Sequence, residues 1–305
     1  MRYNFDKFDF VGKSKYFYMF SIAITVLGIL VLAIGGLNYG VDFRAGSSMD
    51  IAVSENLQPR QDEIRALIDK EELGRYNLTV GTDRVTIRFD DILTDKEENK
   101  LKTDFAAAFD PTASAEVNTV DVQIAREIQT KAMLAVLIAS LGIIVYVSIR
   151  FEWRFALASI VALLHDAFIV ISVFSILQLE VNIPFVVAIL TIIGYSINDT
   201  IVIFDRIREN LRFAKIKGKA DLVRLVNESV SQTMTRSINT VVTVLFAALS
   251  VFVFGGESIR LFSLAMVIGL VAGAYSSIFI ASPLWLLMKS KEKPKTPAAK
   301  SQSAV

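Results

Sequence analysis

Six long apolar runs punctuate the chain, at 16–36, 132–149, 155–177, 183–204, 237–254 and 261–288. Crossing a bilayer as a helix takes about 20 apolar residues, and each run reaches or approaches that length. Arg150, Glu152 and Arg154 place three charges in five residues between the second and third runs. Such a cluster is expensive in lipid, so two helices joined by a tight turn are predicted there, not one long helix. Residues 37–131 follow a different rhythm. A short strand is predicted at 49–53, and 59–73 carries Ile64, Leu67 and Ile68 at helical spacing. Alternation at 77–80 and 84–89 around Gly81-Thr82-Asp83 predicts a hairpin. Thr94 opens a second helix, with Glu97 placed for a capping box and Leu101, Phe105 and Phe109 along its apolar face. A fourth strand is predicted at 116–122. The order β-α-β-β-α-β predicts a ferredoxin-like α+β domain, so the fold class expected is an all-α membrane bundle of six transmembrane helices with one small ferredoxin-like domain outside it.

Composition agrees with the pattern: 53% of the 305 residues are hydrophobic, too many for an ordinary water-soluble fold. A net charge of +1 gives no footprint for nucleic acid, and none is expected as a partner. The placement of charge is more telling than its sum. Lys and Arg crowd the first 15 residues, the 150–154 turn, the 205–236 segment and the tail from 289, whereas the short loops at 178–182 and 255–260 hold only Arg260. The positive-inside rule therefore puts both termini in the cytoplasm and 37–131 outside. The organisation predicted is a cytoplasmic N-terminus at 1–15, a first helix at 16–36 retained as an anchor, the outer domain at 37–131, five further helices within 132–288 with a cytoplasmic loop at 205–236, and a disordered cytoplasmic tail at 289–305. The absence of cysteine excludes disulfides and thiol chemistry, and a single histidine excludes a metal site built on histidines. No cofactor or metal is expected.

Chemistry inside the apolar runs is sparse. Asp199 lies within the fourth run, flanked by Ser196, Asn198 and Thr200. A carboxylate at such depth costs several kcal/mol unless hydrated, paired or protonated, which makes it a candidate proton carrier; a structural cap is the plainer reading. Arg236, at the entry of the fifth run, could pair with Asp199 or merely snorkel. His165 and Asp166 fall about a dozen residues into the third run, suited to proton transfer or to polar packing between helices. Asp205, Arg206, Arg208 and Glu209 continue the fourth helix into the cytoplasm as a gating element or a solvated helix end. Asp42 and Arg44 mark the junction after the first helix. Gly269 and Gly273 form a GxxxG in the sixth run, a mark of close helix approach.

Several stretches together resemble one family. They are Gly40-Val41-Asp42-Phe43, Leu164-His165-Asp166, the block from Gly194-Tyr195-Ser196-Ile197-Asn198-Asp199-Thr200 through Phe204-Asp205-Arg206-Ile207-Arg208-Glu209-Asn210, and Thr235-Arg236-Ser237-Ile238-Asn239-Thr240. The chain is similar to the SecF-type subunits of the bacterial Sec protein translocase, within the SecD/SecF family of the resistance-nodulation-division superfamily. Arg44-Ala45-Gly46-Ser47 stands where that family has a more Gly-rich turn. The resemblance implies a bacterial inner-membrane subunit with a periplasmic 37–131 domain. It would work with a SecD-type partner, the SecYEG translocon, a translocating polypeptide and membrane lipid, using the proton gradient to promote export. It also points to Asp199 and Arg236 as proton-pathway residues; the residues themselves add Asp166 as a further candidate, His165, Tyr195, Ser196, Asn198, Thr200 and Asn239 as supporting polar groups, and Asp42, Asp205, Arg206 and Glu209 as candidates for gating or coupling. The alternative is half of a small-molecule or lipid exporter of the same superfamily, though such exporters carry far larger outer portions. An intramembrane aspartyl protease would use Asp166 and Asp199, but Asn198 occupies the second glycine of its Gly-x-Gly-Asp run. An inert scaffold would be indifferent to neutralising Asp199.

Overall fold

The computed structural model describes residue 5 and residues 8–44, 46–82 and 84–291. Ala45, the hairpin residue Asp83 and the tail from 292 onward, most of the segment expected to be disordered, lie outside the described residues. In chain order the elements are α1 (Phe10–Gly35), β1 (Asn38–Tyr39), β2 (Gly46–Ala52), α2 (Gln61–Lys70), β3 (Tyr76–Val80), β4 (Arg84–Phe89), α3 (Asp95–Ala108), β5 (Ser114–Val120), α4 (Val122–Arg150), α5 (Trp153–Ile176), β6 (Glu180–Val181), α6 (Ile183–Phe213), α7 (Lys219–Phe254), α8 (Glu257–Ser276) and α9 (Ser282–Ser290). The described residues form two compact units, one from those within 1–35, 139–176 and 187–291, the other from those within 36–138 and 177–186.

Among the described residues six helices are long and apolar enough to cross a membrane: α1, α4, α5, α6, α7 and the stretch Ile259–Ser290. The charged 150–154 cluster does break the chain between α4 and α5. Other boundaries differ from expectation. The 205–236 segment is not a loop, because α6 runs on to Phe213 and α7 begins at Lys219. Leaving lipid does not end a helix whose exposed turns carry helix-forming residues and ion pairs three apart, here Arg208 to Asp205 and Arg206 to Glu209, each 2.6 Å. For the same reason helix α7 starts well before 237, and α4 starts ten residues ahead of the predicted second span. The sixth span is interrupted between α8 and α9 by a π-helical turn, Ser277–Ala281. Pro283 follows at the start of α9, where a missing N–H is tolerated, and Ser282 Oγ donates to the Ser277 carbonyl across the turn.

The helical unit is held by small residues and rings. A Cβ on Gly28 would come within 2.1 Å of Ser172 Oγ, so the glycine is what lets α1 lie against α5. Phe155 stacks on Trp285 at 4.8 Å, and Phe17 stacks on Phe279 of the π-turn at 3.8 Å. Leu134, Leu137, Ile138, Leu141 and Val145 of α4 remain exposed, as side chains facing hydrocarbon should.

In the second unit a four-stranded antiparallel sheet has the order β3-β4-β2-β5. Period-2 alternation sends Met49, Ile51, Val85, Ile87, Phe89 and Leu78 to one face, where they pack with Ile64 and Ile68 of α2 and Leu101 and Phe105 of α3. Helix α3 opens with the capping box, Thr94 accepting from Glu97 N–H while the Glu97 carboxylate accepts from Thr94 N–H. Asp110 staples the loop ahead of β5, accepting from Thr112 Oγ1 at 2.6 Å and from the Ser54 and Thr112 N–H groups at 2.8 Å each. These bonds, that of the Thr112 hydroxyl foremost, pull its carboxyl down to about 2. Residues 178–182, expected to be a plain loop, contain β6, which pairs in parallel with β1.

Candidate functional site

Ser196, Asp199 and Thr200 stand three and four residues apart on α6, so one stripe of that helix carries all three polar groups. Ser196 and Thr200 are buried and turn toward the sixth span. A Cβ on Gly269 would come within 2.3 Å of Ile192, and one on Gly273 within 3.3 Å of Ser196 Cβ and 3.6 Å of Asp166 Oδ2. The GxxxG thus brings α8 against α6 and leaves room for a buried carboxylate.

Asp166 on α5 is fully buried and its carboxylate is saturated. Oδ2 accepts from Ser196 Oγ at 2.5 Å and from Ser276 Oγ at 2.8 Å, while Oδ1 lies 2.8 Å from His165 Nδ1. With Nδ1–H donating to the carboxylate, His165 Nε2 accepts, and Ser21 Oγ at 2.8 Å and Tyr275 OH at 3.1 Å face it. Four spans therefore meet around one aspartate: α1 through Ser21, α5 through Asp166 and His165, α6 through Ser196, and α8 through Tyr275 and Ser276. Alongside, Thr200 Oγ1 lies 2.8 Å from Ser277 Oγ in the π-turn.

Asp199 has a different environment. Its Oδ1 accepts from Ser237 Oγ of α7 at 2.5 Å, and its buried Oδ2 has no partner among the described residues. It borders a cavity of about 20 Å³ lined by Tyr195, Ser196, Asn198, Thr240, Gly269 and Gly273, space for about one water. The expected ion pair with Arg236 is not formed. Ser237, the next residue along α7, takes the bond instead. Ser196 connects the two acids, since it bonds Asp166 and lines the cavity beside Asp199.

Tyr195 and Asn198 line that cavity and are themselves exposed, as are Arg236 and Asn239 on α7. At the end of α6, Asp205 pairs with Arg208 and lies 3.6 Å from Arg150, and Arg206 bonds Glu209 and Gln232 at 2.6 Å each. Asp42 belongs to the other unit, where its Oδ2 accepts from the N–H of Ile183, the first residue of α6, at 2.9 Å. Ser237, Ser21 and Tyr275 were not singled out from the sequence; all three are hydroxyls inside apolar helices.

Known proteins share this architecture. The family described as "Protein export membrane protein SecD/SecF, C-terminal" matches residues 100–291, and the SecD/SecF GG motif matches residues 30–56. A protein translocase subunit SecF of Alicyclobacillus acidocaldarius is 46% identical over 294 residues, covering 95% of this chain and 95% of its own length. The protein translocase subunit SecDF of Bacillus subtilis is 45% identical over 301 residues, covering 96% of this chain and 40% of its own. The crystal structure of SecDF from Thermus thermophilus, a translocon-associated membrane protein, matches with a TM-score of 0.85 at 33% identity, over 92% of this chain and 38% of that one. The chain thus corresponds to nearly the whole of a SecF subunit and to about two fifths of a SecDF chain. On the family match, this identity and this coverage, the chain belongs to the SecD/SecF family of protein export membrane proteins.

Proposed function

We propose that the chain is an auxiliary subunit of the Sec machinery that converts the proton gradient into work on an exported polypeptide, together with a SecD-type membrane subunit and the SecYEG translocon. The observation that carries the reading is the pair of carboxylates inside the helical unit, one fully bonded and the other with an oxygen left without a partner beside a water-sized cavity. That cavity gives a water a place to bond the carboxylate and exchange a proton with it. Ionised, Asp199 holds Ser237 of α7 and attracts Arg236; protonated, it loses its charge and its pull on the guanidinium. Helices α6 and α7 then have two arrangements, biased by one proton. One charge moved through 100 mV supplies about 2.3 kcal/mol, enough to shift such an equilibrium by about fiftyfold.

The subunit sits in the bacterial inner membrane with both termini in the cytoplasm, and the 37–131 domain is periplasmic and ferredoxin-like. Charge placement supports the orientation, and the β3-β4-β2-β5 order with every neighbour antiparallel supports the domain fold. The exposed Tyr195, Asn198, Arg236 and Asn239 beside Asp199 support a SecD-type subunit covering that face, since a polar strip is unfavourable against lipid. The test is export into vesicles carrying the assembled complex. Asp199→Asn leaves the complex intact and abolishes stimulation by the proton gradient; unchanged stimulation would remove the proton role.

A further inference from the structure

We propose that Arg88 and Glu180 are positioning residues that hold the first turn of α6 within the unit that contains the sheet, so that movement of the helix carrying Asp199 is passed along α6 itself to the sheet. This rests on the proton reading of Asp199.

Helix α6 does not begin from a free loop. Asn182 caps it, its Oδ1 accepting from Phe185 N–H at 3.1 Å, with Pro184 in the first turn. Asp42 satisfies another of the first N–H groups, that of Ile183. One residue upstream of the cap, β6 is paired with β1 in the register Asn38 to Glu180 and Tyr39 to Val181, extended by Gly40 N–H donating to the Val181 carbonyl at 2.8 Å. The start of α6 is therefore fixed to a segment some 140 residues earlier in the chain. The side chain of Glu180 then reaches past this pair and bonds Arg88 of β4, a strand in the middle of the sheet. Gly40 makes the reach possible, because a Cβ there would come within 2.3 Å of Glu180 Oε1. Both side chains are largely covered, Arg88 15% and Glu180 26% exposed, so water screens the pair less than it would a surface ion pair. A backbone pair, two caps and one ion pair thus converge on five residues, 180–185 less Pro184, with a fixed route from the first turn of α6 into β4.

The alternative is that the sheet follows the membrane helices only through its covalent connections, with the ion pair as incidental packing. The two differ in what happens to proton flux when the pair is broken. The test uses the full chain assembled with its SecD-type partner and the translocon in vesicles, reading export and proton flux together. Arg88→Glu and Glu180→Arg are each expected to lower gradient-stimulated export by about tenfold, within the range of ordinary coupling between sites, while proton flux through the complex persists. The double exchange restores export. Because the chain has no cysteine, Arg88→Cys with Glu180→Cys can be bridged by a short reducible bis-thiol reagent; export returns on bridging and is lost on reduction. Membrane levels and co-purification of each variant exclude misfolding as the cause, and the bridged pair replaces the contact without its charges. Full export in both single variants, or loss of proton flux along with export, overturns the proposal. Normal export in a parallel Asp199→Asn sample would instead overturn the proton reading on which it stands.

Discussion

Asp166 and Asp199 are the same residue type in neighbouring apolar helices, and their hydrogen bonds separate them. Asp166 is the acceptor for two serines and a histidine and joins four spans. Removing it as Asp166→Ala leaves those donors without an acceptor in a dry interior, and the loss is expected to be about 2–5 kcal/mol of stability. Thermal unfolding of the purified complex should show a clearly lowered midpoint, with Ser276→Ala, which removes one donor and leaves the other bonds, much closer to the unaltered protein. Outside the membrane, Asp110 predicts a pH dependence. Its folded carboxyl is pulled to about 2 from an ordinary 3.8, so its contribution is present above the ordinary value and is lost as pH falls through the folded one. Hydrogen exchange at 54–112 in the detergent-solubilised chain should rise between pH 4 and 2, and Asp110→Ala should remove that step. The sequence displayed the acids because a carboxylate in an apolar run has no bland neighbours. It concealed Ser237 and Tyr275, because a hydroxyl in an apolar helix reads the same whatever it bonds. Ser250 and Thr191 merely return to the carbonyl four residues back, whereas Ser237 bonds Asp199, and only the packing of α7 on α6 distinguishes them.

Helix α6 links the chemistry to the rest of the molecule, running from the cap at Asn182 to Phe213 through Ser196, Asp199 and the ion pairs of its last turns. Its approach to α8 depends on Gly269. Gly269→Leu forces the two helices apart or Ile192 out of its place, an overpacking penalty of about 1–3 kcal/mol, and should lower both thermal stability and the amount of chain in the membrane. Gly194, around which an added Cβ would meet nothing, should tolerate alanine without such a loss. Elements written in local signals were legible: the 77–80 and 84–89 hairpin and the Thr94 capping box form where periodicity and spacing put them. Boundaries set by solvent were not. The apolar pattern of α6 stops near 204 while its backbone continues for nine residues, because hydropathy records where lipid ends and not where hydrogen bonding does. The π-turn at 277–281 was equally hidden, since one extra residue in a helical turn leaves an apolar run unbroken.

For the whole molecule, charge placement makes the strongest statement. With no native cysteine, single cysteines report sidedness directly: a membrane-impermeant maleimide should label Glu116→Cys in intact spheroplasts and Lys215→Cys only in inverted vesicles. The family occurs in two forms, a separate SecF and a SecDF chain of which this chain matches about two fifths. In the proposed function a proton passing through Asp199 is what moves the bundle. Proton flux through the reconstituted complex during translocation measures it most directly: flux should accompany export in the unaltered chain and vanish in Asp199→Asn, and equal flux in the two would contradict the account.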